Sequence, residues 1–415
     1  MKGSKGTIKL PWNAWYQDTT FSIPCPDEWE VDVFGLTART PIGAERLKQE
    51  AVKLEERLRE KKISSVAIAI DDLTRPMGYH IFFETFFSEL DKWSNPPDVN
   101  IIVGLGTHRP LEEQELKMKV GNAPFRYPQF VKVLNHDYKN DVIPTGLEWG
   151  KIPVKVNRYF MEAQFRVIFS AIVPHPFAGF SGGPKMVLPG LSNIEVTKRT
   201  HQMALMGFVG KIGNVKENKF RKIIDEFIEQ IRVDYFVGFL TGDNRECIYM
   251  KSGSLLDTYY SLTEEARKIY SSPPPESLYD VVWLNAYPKD TELLQIDTAF
   301  NPVLSTSEKF WHDESIFVVS ASCVKGMGVH DLFGPGGLLY RPPREKRNLK
   351  GHPIYFLIPG MTEEQFYKVF WEGYPLFTST EDLLAAIQER FKNSTLKIAV
   401  FPMSSIQLVS GNGAN

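Results

Sequence analysis

Three loops of this chain carry side chains that bind anions or move protons, and each follows an apolar run. The first is Asp71-Asp72-Leu73-Thr74-Arg75-Pro76. Pro76 biases Arg75 away from helical geometry, which marks a loop. A guanidinium there is a forked donor suited to a carboxylate or phosphate. The plainer reading is a salt bridge from Arg75 to Asp71 or Asp72. The second is Gly106-Thr107-His108-Arg109-Pro110. The His108 imidazole changes charge near neutral pH, so it can serve as general acid or base; capping the following helix is the structural alternative. The third begins Pro174-His175-Pro176, where two prolines stiffen the backbone around an imidazole. His108 and His175 at equivalent strand ends suggest an acid/base pair on opposite sides of a bound substrate.

Phe177-Ala178-Gly179-Phe180-Ser181-Gly182-Gly183-Pro184-Lys185 continues the third loop and is the strongest signal in the chain. Glycines admit close approach of backbone to a ligand, and successive amides can cradle an anion. Lys185 can then act as a point-charge donor or an amine nucleophile; a tight loop with a solvent lysine is the bland alternative. The glycine spacing is not that of a Walker A motif. His201 follows on a polar stretch that reads as a helix, where it is either an exposed face residue or a ligand for Zn, Cu, Fe or Ni. No HxxxH or HExxH pair accompanies it, so a metal there needs ligands from elsewhere. Further on, Lys289 and Asp290 follow a strand, with Gln295 and Thr298 on the next helix. His330 and Asp331 follow another strand, lining the same cleft or serving structure. His80, His136, His312 and His352 lack a convergent setting and read as structural.

These loops need strands to hold them. Leu47, Ala51, Leu54 and Leu58 recur at helical spacing and predict a helix over 41–62, with Pro41 in its first turn. The branched apolar run 63–70 fits a strand buried on both faces of a parallel sheet. Helix 80–93, strand 99–104, helix 111–120 and strand 166–173 repeat the unit. In open α/β sheets the ligand sits beyond the carboxyl ends of strands. The loops 71–76, 105–110 and 174–185 should therefore converge on one crevice. The Ser/Pro stretch 271–277 reads as a linker. Strands at 281–285, 316–321, 354–358 and 396–401, with a helix at 383–391, follow it, and 406–410 reads as a strand returning to the first domain. The expected fold is α/β: two domains with mainly parallel sheets flanking an active-site cleft. They span 1–272 with a C-terminal return 404–415, and 273–403, with 273–275 and the returning strand at a hinge.

Composition agrees. A chain of 415 residues exceeds what one core usually organises, and 43% apolar with 24% charged residues is globular. Forty-eight basic against 50 acidic side chains give a net charge of −2, which excludes a nucleic-acid binder relying on bulk positive charge. Three widely spaced cysteines without CxxC exclude a disulfide framework and a thiolate zinc site, and favour a reducing compartment. No signal peptide and no apolar stretch of membrane-spanning length is read, so a cytoplasmic protein without membrane partners is expected.

The three loop motifs in this order, with Leu188-Pro189-Gly190, His201, Tyr287-Pro288 and Gln295 after them, resemble the nickel-dependent lactate racemase superfamily of 2-hydroxyacid racemases and epimerases. The resemblance implies a nickel-pincer nucleotide, a Ni(II) pyridinium bisthiocarboxylic acid mononucleotide loaded by cofactor-synthesis proteins. Carried onto this chain, Lys185 would join it through a thioamide and His201 would be the protein ligand to nickel. Asp72 and the amides of Ser181, Gly182 and Gly183 would touch the cofactor. His108 and His175 would be the two bases. Arg75 would hold the carboxylate of a small 2-hydroxy acid, with Gln295 and Thr298 beside the substrate. The implied chemistry is reversible hydride removal from Cα, which avoids a carbanion.

The chain departs from the family pattern at three residues and in a shorter segment after His330, which leaves a pocket aromatic without a counterpart. Thr298 stands where the lactate enzyme has a substrate-binding lysine, Leu294 where it has a tyrosine, and Pro184 where an arginine precedes the cofactor lysine. Loss of that cation implies a larger hydroxyl-rich or apolar 2-hydroxy acid rather than lactate itself. Two other readings of the same residues stand beside this one. One is a metal-free two-base isomerase or lyase acting on a hydroxycarboxylate through His108, His175 and Arg75. The other is a non-catalytic binding protein for an anionic metabolite.

Overall fold

The apolar run at 63–70 forms the strand Ser65–Ile70, buried along nearly its whole length in the computed structural model, which describes residues 6–206, 212–392 and 395–410. It pairs in parallel with Asp98–Val103 on one side and Phe165–Ala171 on the other. Val131–Asn135 and Tyr235–Thr241 extend the sheet in parallel, and Cys247–Gly253 closes one edge antiparallel. Continuous branched apolar runs suit this sheet because both faces are covered. The helix Gly43–Glu60 buries Leu47, Ala51, Leu54 and Leu58, the stripe that the spacing predicts. The helix His80–Leu90 buries Phe82, Phe83, Phe86 and Phe87. Phe82 and Phe83 pack against Phe169 at ring separations of 4.6 and 5.8 Å, which fixes one of the three strands that carry the loops.

A second six-stranded sheet is parallel throughout. Its order is Leu376–Phe377, Ile354–Leu357, Trp311–Ser320, Tyr279–Asn285, Lys397–Phe401 and Glu30–Val33. Apolar clusters cover it on both faces, one built around Phe317, Phe356 and Phe401 and the other around Trp283, Leu383 and Ile398. The helix expected at 383–391 is Thr380–Arg390, N-capped by the Ser379 hydroxyl.

The chain divides into two units, but not where the sequence placed the boundary. One unit is Arg39–Val173 with Phe177–Arg267; the other gathers residues up to Ala38, Pro174–Pro176 and the chain from Lys268 onward. Residues 6–38 therefore leave the expected domain 1–272. The reason is pairing and burial: Glu30–Val33 is an edge strand on Lys397–Phe401, and Ile8, Leu10, Ile23 and Trp29 bury against the second sheet. The expected return at 404–415 also stays in this unit, since Leu408–Val409 pairs with Ser271–Ser272. Residues 411–415 of that return lie outside the described residues. The hairpin Val142–Trp149 and Ile152–Asn157 and the helices Lys219–Gln230 and Leu255–Tyr270 add to the elements expected from sequence.

Candidate active site

Three neighbouring strands deliver the three loops, Phe165–Ala171, Ser65–Ile70 and Asp98–Val103 in that spatial order. The loop after Ser65–Ile70 is locked by its first aspartate. The Asp71 carboxylate lies 2.6 Å from the Lys119 ammonium, accepts the Tyr79 hydroxyl at 2.8 Å, and accepts the Ala171 amide at 2.7 Å. Lys119 also donates to the carbonyls of Asp72 and Arg75 at 2.9 and 3.1 Å. Asp71 is thus a structural staple rather than a partner for Arg75.

Asp72, buried beside it, accepts the Thr74 amide at 3.0 Å and the Thr74 hydroxyl on Oδ1, and faces His108 Nδ1 at 2.5 Å through Oδ2. Burial would raise its pKa, but His108, Arg75 and the Thr74 hydroxyl outweigh that and hold the carboxyl well below the usual range. Arg75 is half-buried and donates through Nη1 to the Thr74 hydroxyl at 2.8 Å and the Thr74 carbonyl at 3.2 Å. Among the described residues it makes no ion pair, so the salt-bridge reading does not describe it.

The His108 loop is tied to the third loop, for the Gly106 amide donates to the Gly190 carbonyl at 2.9 Å. Arg109 forms a bidentate pair with Glu115, both contacts at 2.7 Å, and Glu112 with Glu115 forms the capping box of the helix Glu113–Val120. These residues, not His108, cap that helix. Sequence reasoning passed over Arg109 and Glu115, whose six-residue separation gives no helical pairing signal.

The glycine-rich segment corrects one expectation. The Ser181 amide donates to the Val173 carbonyl at 2.8 Å, and the Gly183 amide to the Ser170 hydroxyl at 2.9 Å. Both are spent inside the chain, so Ser181 and Gly183 supply no amide cradle for a cofactor. The glycines serve packing instead. A Cβ on Gly182 would lie 2.6 Å from Ile172 Cδ1 and Ser170 Oγ; one on Gly183 would lie 2.3 Å from Tyr259 Cδ2. The Tyr259 hydroxyl donates to the Phe180 carbonyl at 3.0 Å and accepts from buried Arg221 at 3.0 Å, a support the sequence did not reveal. Lys185 stands half-buried on the 3-10 turn Gly183–Met186 that this packing fixes.

His201 lies on the helix Ile194–Leu205, four residues after Thr197. Its Nδ1 lies 2.7 Å from the Thr197 carbonyl, which can only accept, so Nδ1 carries the proton and Nε2 the lone pair. Burial, with Lys185 and His108 adding positive charge nearby, pushes its pKa down to about 4 against the pull of the Thr197 bond. At neutral pH the ring is uncharged, the form that binds metals.

One unit thus holds Asp72, Arg75, His108, Ser181, Gly182, Gly183, Lys185 and His201. The other holds His175, Gln295 and Thr298. Pro174–His175 packs there against the turn Ser404–Ile406. Gln295 and Thr298 are half-buried on the 3-10 helix Leu293–Phe300, where a three-residue separation puts them on one face. The Thr298 hydroxyl donates to the Gln295 carbonyl at 2.9 Å. Lys346, a cation touching that helix, pairs with Asp297 at 2.5 Å and lies over the Phe300 ring. His330 Nδ1 accepts the Leu332 amide at 3.2 Å, a structural turn contact. Among the described residues no group of three or more His, Cys, Asp or Glu side chains gathers to hold a metal.

Residues 16–209, which contain Asp72, Arg75, His108, His175, Lys185 and His201, match the lactate racemase N-terminal domain family. That match spans just under half of the chain, which is similar to the lactate racemase superfamily. Two proteins named lactate racemase are similar in sequence. The one from Thermoanaerobacterium thermosaccharolyticum is 24% identical over 304 residues, 72% of this chain and 67% of that protein. The one from Lactiplantibacillus plantarum is 24% identical over 256 residues, 61% of this chain and 58% of that protein. The lactate racemase apoprotein structure from T. thermosaccharolyticum superposes with a TM-score of 0.71 at 19% identity, covering 97% of this chain and all of that one. A crystal structure of a Thermotoga maritima protein gives 0.65 at 18% identity, covering 90% and 99%. At these identities the structural likeness shows the fold alone, two α/β units with mainly parallel sheets.

Proposed function

We propose that this protein is a racemase or epimerase of a 2-hydroxy acid that works with a nickel-pincer nucleotide. The observation that carries the reading is His201: a neutral imidazole whose Nδ1 is anchored to Thr197, in the same unit as Lys185 and His108. A histidine that belongs to no group of three or more His, Cys, Asp or Glu side chains among the described residues fits a metal whose other donors come from a bound organic group. Lys185 would tether that group and His201 would ligate its nickel. The Asp72 carboxylate, engaged on both oxygens by Thr74 and His108, acts on the base rather than the cofactor. When bound, the group supplies a reversible hydride acceptor, which suits a Cα–H too weakly acidic for direct removal.

The chain's own residues do the rest. Arg75, held by Thr74 and in no ion pair among the described residues, binds the substrate carboxylate and orients Cα. His108 and His175 exchange the hydroxyl proton, one for each enantiomer. Gln295 and Thr298 contact the remainder of the substrate. Thr298 brings no charge, and Lys346 is committed to Asp297, which favours a larger hydroxyl-rich or apolar acid over lactate. Three buried free cysteines suit a reducing compartment, and we place the protein in the cytoplasm. No helix of the described residues is long and apolar enough to cross a membrane.

The test is expression with cofactor-synthesis proteins, then intact mass and nickel analysis. The expected result is an adduct and nickel that are both lost in Lys185→Ala, with nickel also lost in His201→Ala. Substrate deuterated at Cα should keep its label in the inverted product. Absence of adduct and nickel, with label washed into solvent, would overturn the reading and favour a metal-free two-base isomerase or lyase.

A further inference from the structure

We propose that Asp72 and Thr74 are positioning residues that set the tautomer of His108 and the direction of Arg75 from one carboxylate. This rests on the reading of His108 and Arg75 as base and substrate clamp. The argument is one of hydrogen-bond polarity. Asp72 Oδ1 accepts the Thr74 amide at 3.0 Å and the Thr74 hydroxyl, while Oδ2 meets His108 Nδ1 at 2.5 Å. An ionised carboxylate can only accept, so the proton on that contact belongs to His108 Nδ1. In the neutral ring the lone pair is then on Nε2, the atom that takes and returns a proton. The Thr74 hydroxyl has spent its proton on Asp72, so it can only accept from Arg75 Nη1, at 2.8 Å. Every donor and acceptor from Arg75 through Thr74 and Asp72 to His108 is thereby fixed.

The wiring is built in. Asp72 is buried at the end of the sheet's central strand. Its carbonyl is held by Lys119, which the neighbouring Asp71 anchors in turn. The loop therefore has little freedom to repair a change at Asp72, and the consequence of Asp72→Asn can be worked out. Two Thr74 donors converge on Oδ1, so the amide must turn its oxygen to them and its NH2 to His108. Nδ1 then has to accept, the proton moves to Nε2, and the base is lost although the ring stays in place. In a serine protease the corresponding change costs about 10⁴-fold in kcat for the same reason.

The experiment reads the tautomer directly in the apoprotein. Nitrogen-15 spectra of histidine-labelled protein, with His108 assigned by its absence in His108→Gln, should show protonated Nδ1 and bare Nε2. In Asp72→Asn the two signals should exchange character. In the cofactor-loaded enzyme, Asp72→Asn should lower kcat at least 10³-fold in both directions with KM little changed. Thr74→Val should raise KM about 10-fold with kcat nearly kept. Wild-type His108 protonated at Nε2, or an unchanged pattern in a folded Asp72→Asn, overturns the proposal; so does unchanged kcat in that variant. If Asp72→Asn fails to fold, the wild-type spectrum still decides. The spectra need neither cofactor nor substrate. A failure of the functional reading would leave the tautomer result standing, and a failed tautomer result would leave the adduct and nickel measurements standing.

Discussion

Lys119 and Asp71 form an ion pair at 2.6 Å in which the lysine side chain is wholly out of solvent. Burial lowers the Lys119 pKa, and Asp71 pulls it back up. The ammonium also donates to the carbonyls of Asp72 and Arg75, so one cation holds the loop that carries Asp72 and Arg75. Replacing it by an apolar chain of similar length leaves a carboxylate without its cation and two carbonyls without a donor. Lys119→Met should cost about 3–5 kcal/mol, read as a lower urea midpoint. A change below about 1 kcal/mol would show that Tyr79 and the Ala171 amide suffice for Asp71.

Gly183 combines a positive φ of 53° with a side-chain position already filled by Tyr259 at 2.3 Å. Gly183→Ala meets both a backbone penalty and a ring that cannot move without breaking its bonds to Phe180 and Arg221. The expected loss is about 2–4 kcal/mol. Gly336→Ala, where φ is 82° but nothing lies within 4 Å, should cost only about 1 kcal/mol. Equal losses in urea titrations would refute the packing argument.

The contrast shows what the sequence could and could not carry. The strand–loop–helix order placed Arg75 and His108 on adjacent strands, because branched apolar runs and helical periodicity are local signals. What Gly183 makes room for is not legible, because a glycine that admits a ligand and one that admits Tyr259 look alike in sequence. The pairing of Glu30–Val33 with Lys397–Phe401 was hidden for another reason. It joins residues more than 360 apart, and a four-residue edge strand has too little pattern to announce its partner. The Arg221–Tyr259–Phe180 support was invisible on the same ground.

Arg75 makes a demanding case for conservative substitution. Thr74 fixes one arm of its guanidinium, and the planar fork lets the remaining donors engage a carboxylate together. A lysine would keep the charge but not both contacts. In loaded enzyme Arg75→Lys should raise KM by roughly 10-fold or more while kcat falls less. An unchanged KM would remove Arg75 from the substrate site.

His136 and His201 make the fold sensitive to mild acid. Burial pushes each pKa down from 6.5 to about 4. His136 is held neutral between the Ser192 carbonyl at 3.1 Å and the Asn157 amide at 3.1 Å. Above pH 6.5 both rings are uncharged folded or unfolded, and their stabilising contribution is fully present. As pH falls from 6.5 through 4, the unfolded chain takes up protons that the folded chain refuses. Stability should then drop by up to about 1.4 kcal/mol per pH unit for each ring. Urea midpoints measured at pH 7, 6 and 5 should fall steadily. His136→Gln, which cannot titrate, should remove about half of that slope. A wild-type midpoint that stays flat across this range would mean that neither imidazole is as protected from protonation as its surroundings require.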